Sequence, residues 1–240
     1  MYEPITNGHI SKRFDSELED IRNLVMEMGG LVEKQVSNGI LALMTTDSAV
    51  AKQVSQDDHI INNMELIIDE KCMQILARRQ PAASDLRLVV TIIKTIADLE
   101  RIGDQAEKLG YFELKLIDEG SSTKEYVKLE HLGELVRAML NDALNAFARM
   151  DGQLAIKTIK KDKKVNMEYE ALMRQLITRM MEDPRNIKQA LCVTWCARAM
   201  ERIGDHSRNI CEYVLFMVHG KDVRHLKLSA LKDEIEEAAP

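Results

Sequence analysis

The sequence predicts an all-α protein made of two tandem, structurally similar three-helix bundles. Long segments rich in Ala, Leu, Glu, Lys and Met carry apolar residues at helical spacing, and aromatic residues make up only 4% of the 240-residue chain. A five-residue motif also occurs twice, once in each half of the chain. Helical periodicity and this duplication together indicate the fold class.

Start and stop signals divide the first half into three helices. The segment Thr46-Asp47-Ser48 is predicted to supply a cap for the second helix, and Pro81 ends that helix. Ser84-Asp85 is predicted to cap the third. The helices are predicted at about 15–44, 48–79 and 84–119, within a first bundle at 1–120.

The second half repeats this organisation. Gly120-Ser121-Ser122-Thr123 is the predicted linker, and Ser122 with Glu125 resembles a capping box. Asp183-Pro184 places a cap residue before a proline at the first helical position. Helices are predicted at about 124–150, 152–182 and 184–219, within a second bundle at 121–228. The acidic tail at 229–240 is predicted to be disordered.

Composition excludes several functions. The formal charge of -6 disfavours nucleic-acid binding. No apolar run approaches the roughly 20 residues of a membrane span, so no membrane insertion is expected. The cysteines, which lie in apolar helical patterns, predict reduced thiols and a cytoplasmic location: Cys72, Cys192, Cys196 and Cys211.

The internal repeat singles out a set of acidic residues. Glu100-Arg101-Ile102-Gly103-Asp104 recurs as residues 201–205 with an offset of 101, and the sequence preceding each turn repeats with an offset of 104. The pairs at that second offset are Asp47 with Asp151, Ala51 with Ala155, Asp58 with Asp162 and Asn62 with Asn166. The offset changes near Pro81 and Pro184, where turns tolerate length changes.

These residues predict a cation site in each half. Antiparallel helices rise equally along their common axis, so Asp58 and Asn62 should lie level with Glu100 and Asp104. Asp162 and Asn166 should likewise lie level with Glu201 and Asp205, and Gly29-Gly30 of the first helix should reach the level of the first site. Converging oxygen ligands suit a cation such as Fe, Zn or Mn. The alternative is that these acids form solvated, salt-bridged helix faces.

Other catalytic patterns are missing from the sequence. It contains no Gly-rich phosphate loop, nucleophile elbow or Cys-x-x-Cys pair, so a non-enzymatic protein is expected. Trp195 is expected to be a core or packing residue rather than a ligand platform.

The repeated motif, with residues 78–87 (Arg-Arg-Gln-Pro-Ala-Ala-Ser-Asp-Leu-Arg) ahead of its first copy, resembles the PhoU family of phosphate-uptake regulators over about residues 10–224. The resemblance implies two similar three-helix bundles and repression of the phosphate-starvation response. It also implies two partners, the ATPase subunit of the phosphate transporter and a membrane sensor histidine kinase. Its acidic motif matches Glu100 with Asp104 and Glu201 with Asp205, positions that hold iron or zinc clusters in some members.

Three functions remain open from the sequence. The first is a non-enzymatic helical adaptor, expected to be a homodimer through an exposed apolar helix face. The second is a carboxylate-bridged metal-binding protein or metal-dependent enzyme. The third is a purely structural bundle whose acids are only solvated.

Overall fold

A computed structural model describes residues 12–121, 127–220 and 222–223, and these residues are all-α as predicted. The predicted bounds of the second and fifth helices coincide with the observed ones. The six α-helices of the described residues are α1 (Lys12–Thr45), α2 (Ser48–Arg79), α3 (Ala83–Asp118), α4 (Val127–Arg149), α5 (Gly152–Glu182) and α6 (Ile187–His219).

The predicted cap of α2 is confirmed, and two others differ. Asp47 accepts hydrogen bonds from the backbone N–H groups of Ala49 and Val50. The cap position of α3 is Ala82, which has no polar side-chain atom, so Ser84 and Asp85 lie inside the first turn of the helix rather than capping it. Asp183 does cap a helix, but the first turn is a 3₁₀ turn (Pro184–Asn186) and α6 begins only at Ile187.

Each half forms three mutually packed helices, and the halves also pack against each other. The interface between α3 and α6 is the largest between any two helices, and α1 also contacts α4. Contacts between Glu119 and Lys188 at one end, and between Arg87 and Gly220 at the other, show that α3 and α6 are antiparallel. The buried apolar residues form one continuous core across both halves.

α2 and α5 make their main contacts within their own halves, so each leaves an outward face exposed. These faces carry large apolar side chains: Leu66, Ile67 and Met73 on α2, and Met167, Ile177 and Met181 on α5.

All four cysteines are free and buried. Burial raises the pKa of the Cys72 thiol to about 12, so this group stays protonated at neutral pH. No helix in the described ranges combines the length and apolar character that a membrane crossing requires. The predicted capping box at Ser122 and the acidic tail at 229–240 lie outside the described residues.

Candidate functional site

An acidic cluster lies between α2 and α3 in the first half. One carboxylate oxygen from each of Asp58, Asp104 and Glu107 lies within 4.8 Å of the other two. Asp58 is only 8% exposed, although it is an ionisable residue. The first acidic cluster is defined here as Asp58, Asn62 and Glu65 on α2 with Glu100, Asp104 and Glu107 on α3.

Hydrogen bonds from two amides hold Asp58 in place. The Asn62 Nδ2 atom, one helical turn along α2, donates to Asp58 Oδ2 at 2.9 Å. The Gln35 Nε2 atom reaches from α1 and donates to Asp58 Oδ1 at 3.3 Å and to the Val54 carbonyl at 3.1 Å. These contacts orient the carboxylate, and no salt bridge joins it to a cationic side chain of the described residues.

Gly103, inside the repeated motif, permits this close arrangement. A Cβ atom at Gly103 would lie 3.2 Å from Gln35 Oε1 and 3.4 Å from Asp58 Oδ1. The helix therefore accepts a glycine, at a propensity cost of about 1 kcal/mol, where α1 and α2 bring polar groups against it.

The acids of the first cluster repel one another. Burial, and then the carboxylates of Asp104, Glu65 and Asp58, raise the pKa of Glu100 above its ordinary value. The pKa of Glu107 is raised by burial and then by Asp58 and Asp104, while Lys108 acts in the opposite direction, as Arg101 does for Glu100. The cluster therefore has a negative potential that a bound cation would relieve.

A second acidic cluster lies between α5 and α6, defined as Asp162 and Asn166 on α5 with Glu201 and Asp205 on α6. Asn166 Nδ2 donates to Asp162 Oδ2 at 3.2 Å, as in the first half. Arg208 Nη1 approaches the same oxygen at 3.5 Å, and Arg198 Nη1 lies 3.0 Å from Glu201 Oε2. Two guanidinium groups therefore accompany these acids.

The electrostatics of the second cluster reflect both the acids and the arginines. Burial raises the pKa of Asp162, while Arg208 opposes this effect and Asp205 adds to it. The pKa of Glu201 is raised by burial and Asp205, and Arg198 and Arg202 act in the opposite direction. Arg208, one turn beyond Asp205 on α6, lies 3.5 Å from Asp162 on α5, so the acids of the two helices lie at about the same level.

The structure adds residues that the sequence pattern had not selected. Glu107 lies one turn beyond Asp104, and its i, i+7 spacing from Glu100 was an available signal for it. Gln35, rather than Gly29-Gly30, is the α1 contribution. Gly29 instead faces Leu144 on α4, because the rotation of α1 about its axis turns that residue towards the other half.

The first cluster fits a metal ion by its donor chemistry. Beside its carboxylates lie two buried oxygen atoms without a hydrogen-bond partner, Gln35 Oε1 and Asn62 Oδ1. Gln35 is only 4% exposed, so solvent does not readily satisfy its carbonyl. An all-oxygen donor set of this kind suits a hard divalent cation.

Fold and site together define a class of protein: a duplicated helical-bundle protein whose halves each hold an acidic cluster between two antiparallel helices. The family model described as "PhoU domain" matches the chain twice, at residues 25–111 and 129–214. The chain belongs to the PhoU family.

Named relatives agree with this assignment. The "Phosphate-specific transport system accessory protein PhoU homolog" of Pseudomonas aeruginosa is 51% identical over 95% of this chain and 94% of its own length. The Escherichia coli (strain K12) "Phosphate-specific transport system accessory protein PhoU" is 50% identical over 95% of this chain and 96% of its own.

Solved structures have the same fold. The crystal structure of PhoU from Pseudomonas aeruginosa superimposes with a TM-score of 0.84 at 51% identity, covering 87% of this chain and all of the other. The phosphate transport system regulatory protein PhoU from Streptococcus pneumoniae gives a TM-score of 0.81 at 32% identity, over 88% of this chain and 99% of its own.

Proposed function

We propose that this chain is a cytoplasmic negative regulator of phosphate uptake and of the phosphate-starvation response. In this role it is a non-enzymatic helical adaptor between the ATPase subunit of a phosphate ABC transporter and a membrane sensor histidine kinase. The observation that carries the proposal is the double PhoU match along a chain that is about half identical to phosphate-transport accessory proteins.

Surface chemistry supports an adaptor. Trp195 is 56% exposed and stacks on Phe112 with ring centroids 6.3 Å apart, so it is a packing residue at the surface rather than in the core. Tyr111, also exposed, makes an edge contact with Phe112. Exposed aromatic residues are enriched where proteins bind one another, and these three join α3 of one half to α6 of the other.

The experiment is capture of tagged full-length protein from cells grown at high and at low phosphate. We expect the transporter ATPase and the kinase to be recovered, and a phosphate-starvation reporter to be repressed at high phosphate. Recovery of neither partner, together with an unrepressed reporter in cells that contain the folded protein, would refute the adaptor role. Light scattering on the purified chain tests the proposed homodimer.

Metal binding by the acidic clusters is the second proposed property, and the unpaired oxygens of Gln35 and Asn62 favour it. Such an ion would bridge α2 and α3 and neutralise the cluster. A Glu100→Ala/Asp104→Ala double variant that still captures its partners but no longer represses the reporter would support a signalling role for the site. A metal-dependent enzyme is the remaining alternative, and it would additionally require a substrate-accessible coordination position.

A further inference from the structure

The two acidic clusters differ at positions that the internal repeat makes equivalent. The offset of 104 relates α2 to α5, and the offset of 101 relates α3 to α6. Each residue of the first cluster therefore has a counterpart. The pairs are Asp58 with Asp162, Asn62 with Asn166, Glu65 with Tyr169, Glu100 with Glu201, Asp104 with Asp205 and Glu107 with Arg208.

At two of these positions the second half lacks the carboxylate that the first half has. Glu65 is replaced by Tyr169, which packs against the hydrophobic core, and Glu107 is replaced by Arg208. Five carboxylates at these positions in the first half thus correspond to three carboxylates and a guanidinium in the second.

The side chain that the first helix of each half places beside the cluster also differs, and again the first half has the better ligand for a hard cation. The α1 side chain that faces Gly103 is Gln35, whose unpaired carbonyl oxygen is 3.2 Å from the position of an added Cβ. The equivalent Gly204 lies nearest to Val165 of α5, and the α4 side chain that faces it is Met139, whose sulfur is 4.0 Å away. A buried oxygen ligand in one half is therefore replaced by a thioether, a weak ligand for hard cations, in the other.

The second half also holds two buried oxygens without a hydrogen bond, Asp162 Oδ1 and Glu201 Oε2, but there arginines lie beside the acids. Arg208 Nη1 is 3.5 Å from Asp162 Oδ2, and Arg208 Nε donates to Glu212 Oε1 at 3.0 Å. Arg198, whose counterpart in the first half is Ala97, contacts Glu201. A divalent cation bound among these acids would be repelled by Arg208 and would have to displace its contacts.

We propose that only the first half binds a divalent cation, and that Arg208 is the built-in cation of the second half. The inference depends on the metal binding proposed above and restricts it to Asp58, Glu100, Asp104 and Glu107, with the oxygens of Gln35 and Asn62. The two halves thus have the same fold with different roles. The first is stabilised by a dissociable ion, and the second is stabilised permanently.

The test is a Mn²⁺ titration of the chelator-stripped full-length protein, with free Mn²⁺ measured by electron paramagnetic resonance. Asp104→Asn should weaken binding at least about tenfold. The equivalent Asp205→Asn should leave both affinity and the number of bound ions unchanged. Equal losses from the two variants would overturn the inference while leaving metal binding intact, whereas an unmodified chain that binds no Mn²⁺, Zn²⁺ or Fe²⁺ would refute the proposed metal binding itself.

Variants of Arg208 provide the converse test. Arg208→Glu restores the carboxylate found at Glu107 and should add ion binding that Asp205→Asn then removes. Arg208→Lys keeps the positive charge and should add none, and Arg149→Gln is the control for loss of an exposed arginine elsewhere in the second half. Circular dichroism confirms folding of each variant, and a folded Arg208→Glu protein without additional ion binding would also overturn the inference.

Discussion

The first acidic cluster holds carboxylates of α2 and α3 close enough to repel one another. Glu107 is partly buried, and its neighbours Asp58 and Asp104 are both acidic. In the metal-free protein, ionisation of Glu107 is therefore less favourable in the folded state than in the unfolded chain. This difference links the stability of the protein to pH and to cation concentration.

Replacing Glu107 with Gln should stabilise the metal-free protein at neutral pH. Because the folded-state pKa of Glu107 is raised, its ionisation costs stability above that pKa, and the cost disappears as the pH falls towards the unfolded value of 4.5. We expect a gain of about 0.5 kcal/mol at pH 7, typical of removing one like-charge contact, and no gain below the unfolded pKa. Urea denaturation at several pH values measures it.

Glu27→Gln is the matched control, since Glu27 is exposed on α1. This change should alter the unfolding free energy at pH 7 by less than about 0.5 kcal/mol. A Glu107→Gln variant that is no more stable than wild type at pH 7, with chelator present, would show that the acids do not repel one another significantly.

The spacing of α2 and α3 depends on close backbone contact at one glycine. A Cβ atom at Gly110 of α3 would lie 2.6 Å from the backbone carbonyl oxygen of Ala51 on α2. A backbone atom cannot move aside as a flexible side chain can, so the small residue at this position sets how closely the two helices approach. That approach in turn brings Asp58 to Asp104.

Gly110→Ala should destabilise the protein by about 1–3 kcal/mol, as overpacking does in other cores, because α2 must shift away from α3. Gly30→Ala is the control: nothing lies within 4 Å of its added Cβ, and better helix propensity should stabilise the protein by about 1 kcal/mol. Thermal and urea unfolding compare the two. If both variants were equally stable, α2 and α3 would not be in close contact at Gly110.

The two halves are joined by a buried polar contact as well as by the shared core. His206 Nδ1 lies 2.6 Å from Asp98 Oδ1, and Asn209 Nδ2 donates to the same oxygen at 3.2 Å. Asp98 and His206 are both buried in the interface of α3 with α6. Because apolar packing and these polar contacts are continuous between the halves, the described helices should unfold together.

Asp98→Ala should lower the free energy of unfolding by about 3 kcal/mol, since it leaves the buried His206 and the half-buried Asn209 without their partner. Asp20→Ala, at an exposed position of α1, should change it by less than about 0.5 kcal/mol. Differential scanning calorimetry of the wild type should show one transition. Two resolved transitions in the wild-type protein would indicate that the halves are independent.

Local information in the chain accounts for the helices, the duplication and the level at which the acids meet. Helical periodicity, Asp47 as a cap and proline as a breaker act over a few residues, and the constant rise of an α-helix makes Asp58 level with Asp104. These features require no knowledge of the remaining structure.

Tertiary packing decides which side chains face each cluster and how the halves join. The rotation of α1 about its axis presents Gln35, rather than Gly29, to Asp58, and the antiparallel packing of α3 on α6 leaves Trp195 exposed. Arg208 contacts an acid of the second cluster only because the packing of α5 on α6 places Asp162 beside it. The rotation of each helix and the angle at which two helices cross depend on how side chains that are distant in sequence pack together. A local sequence pattern therefore cannot predict them.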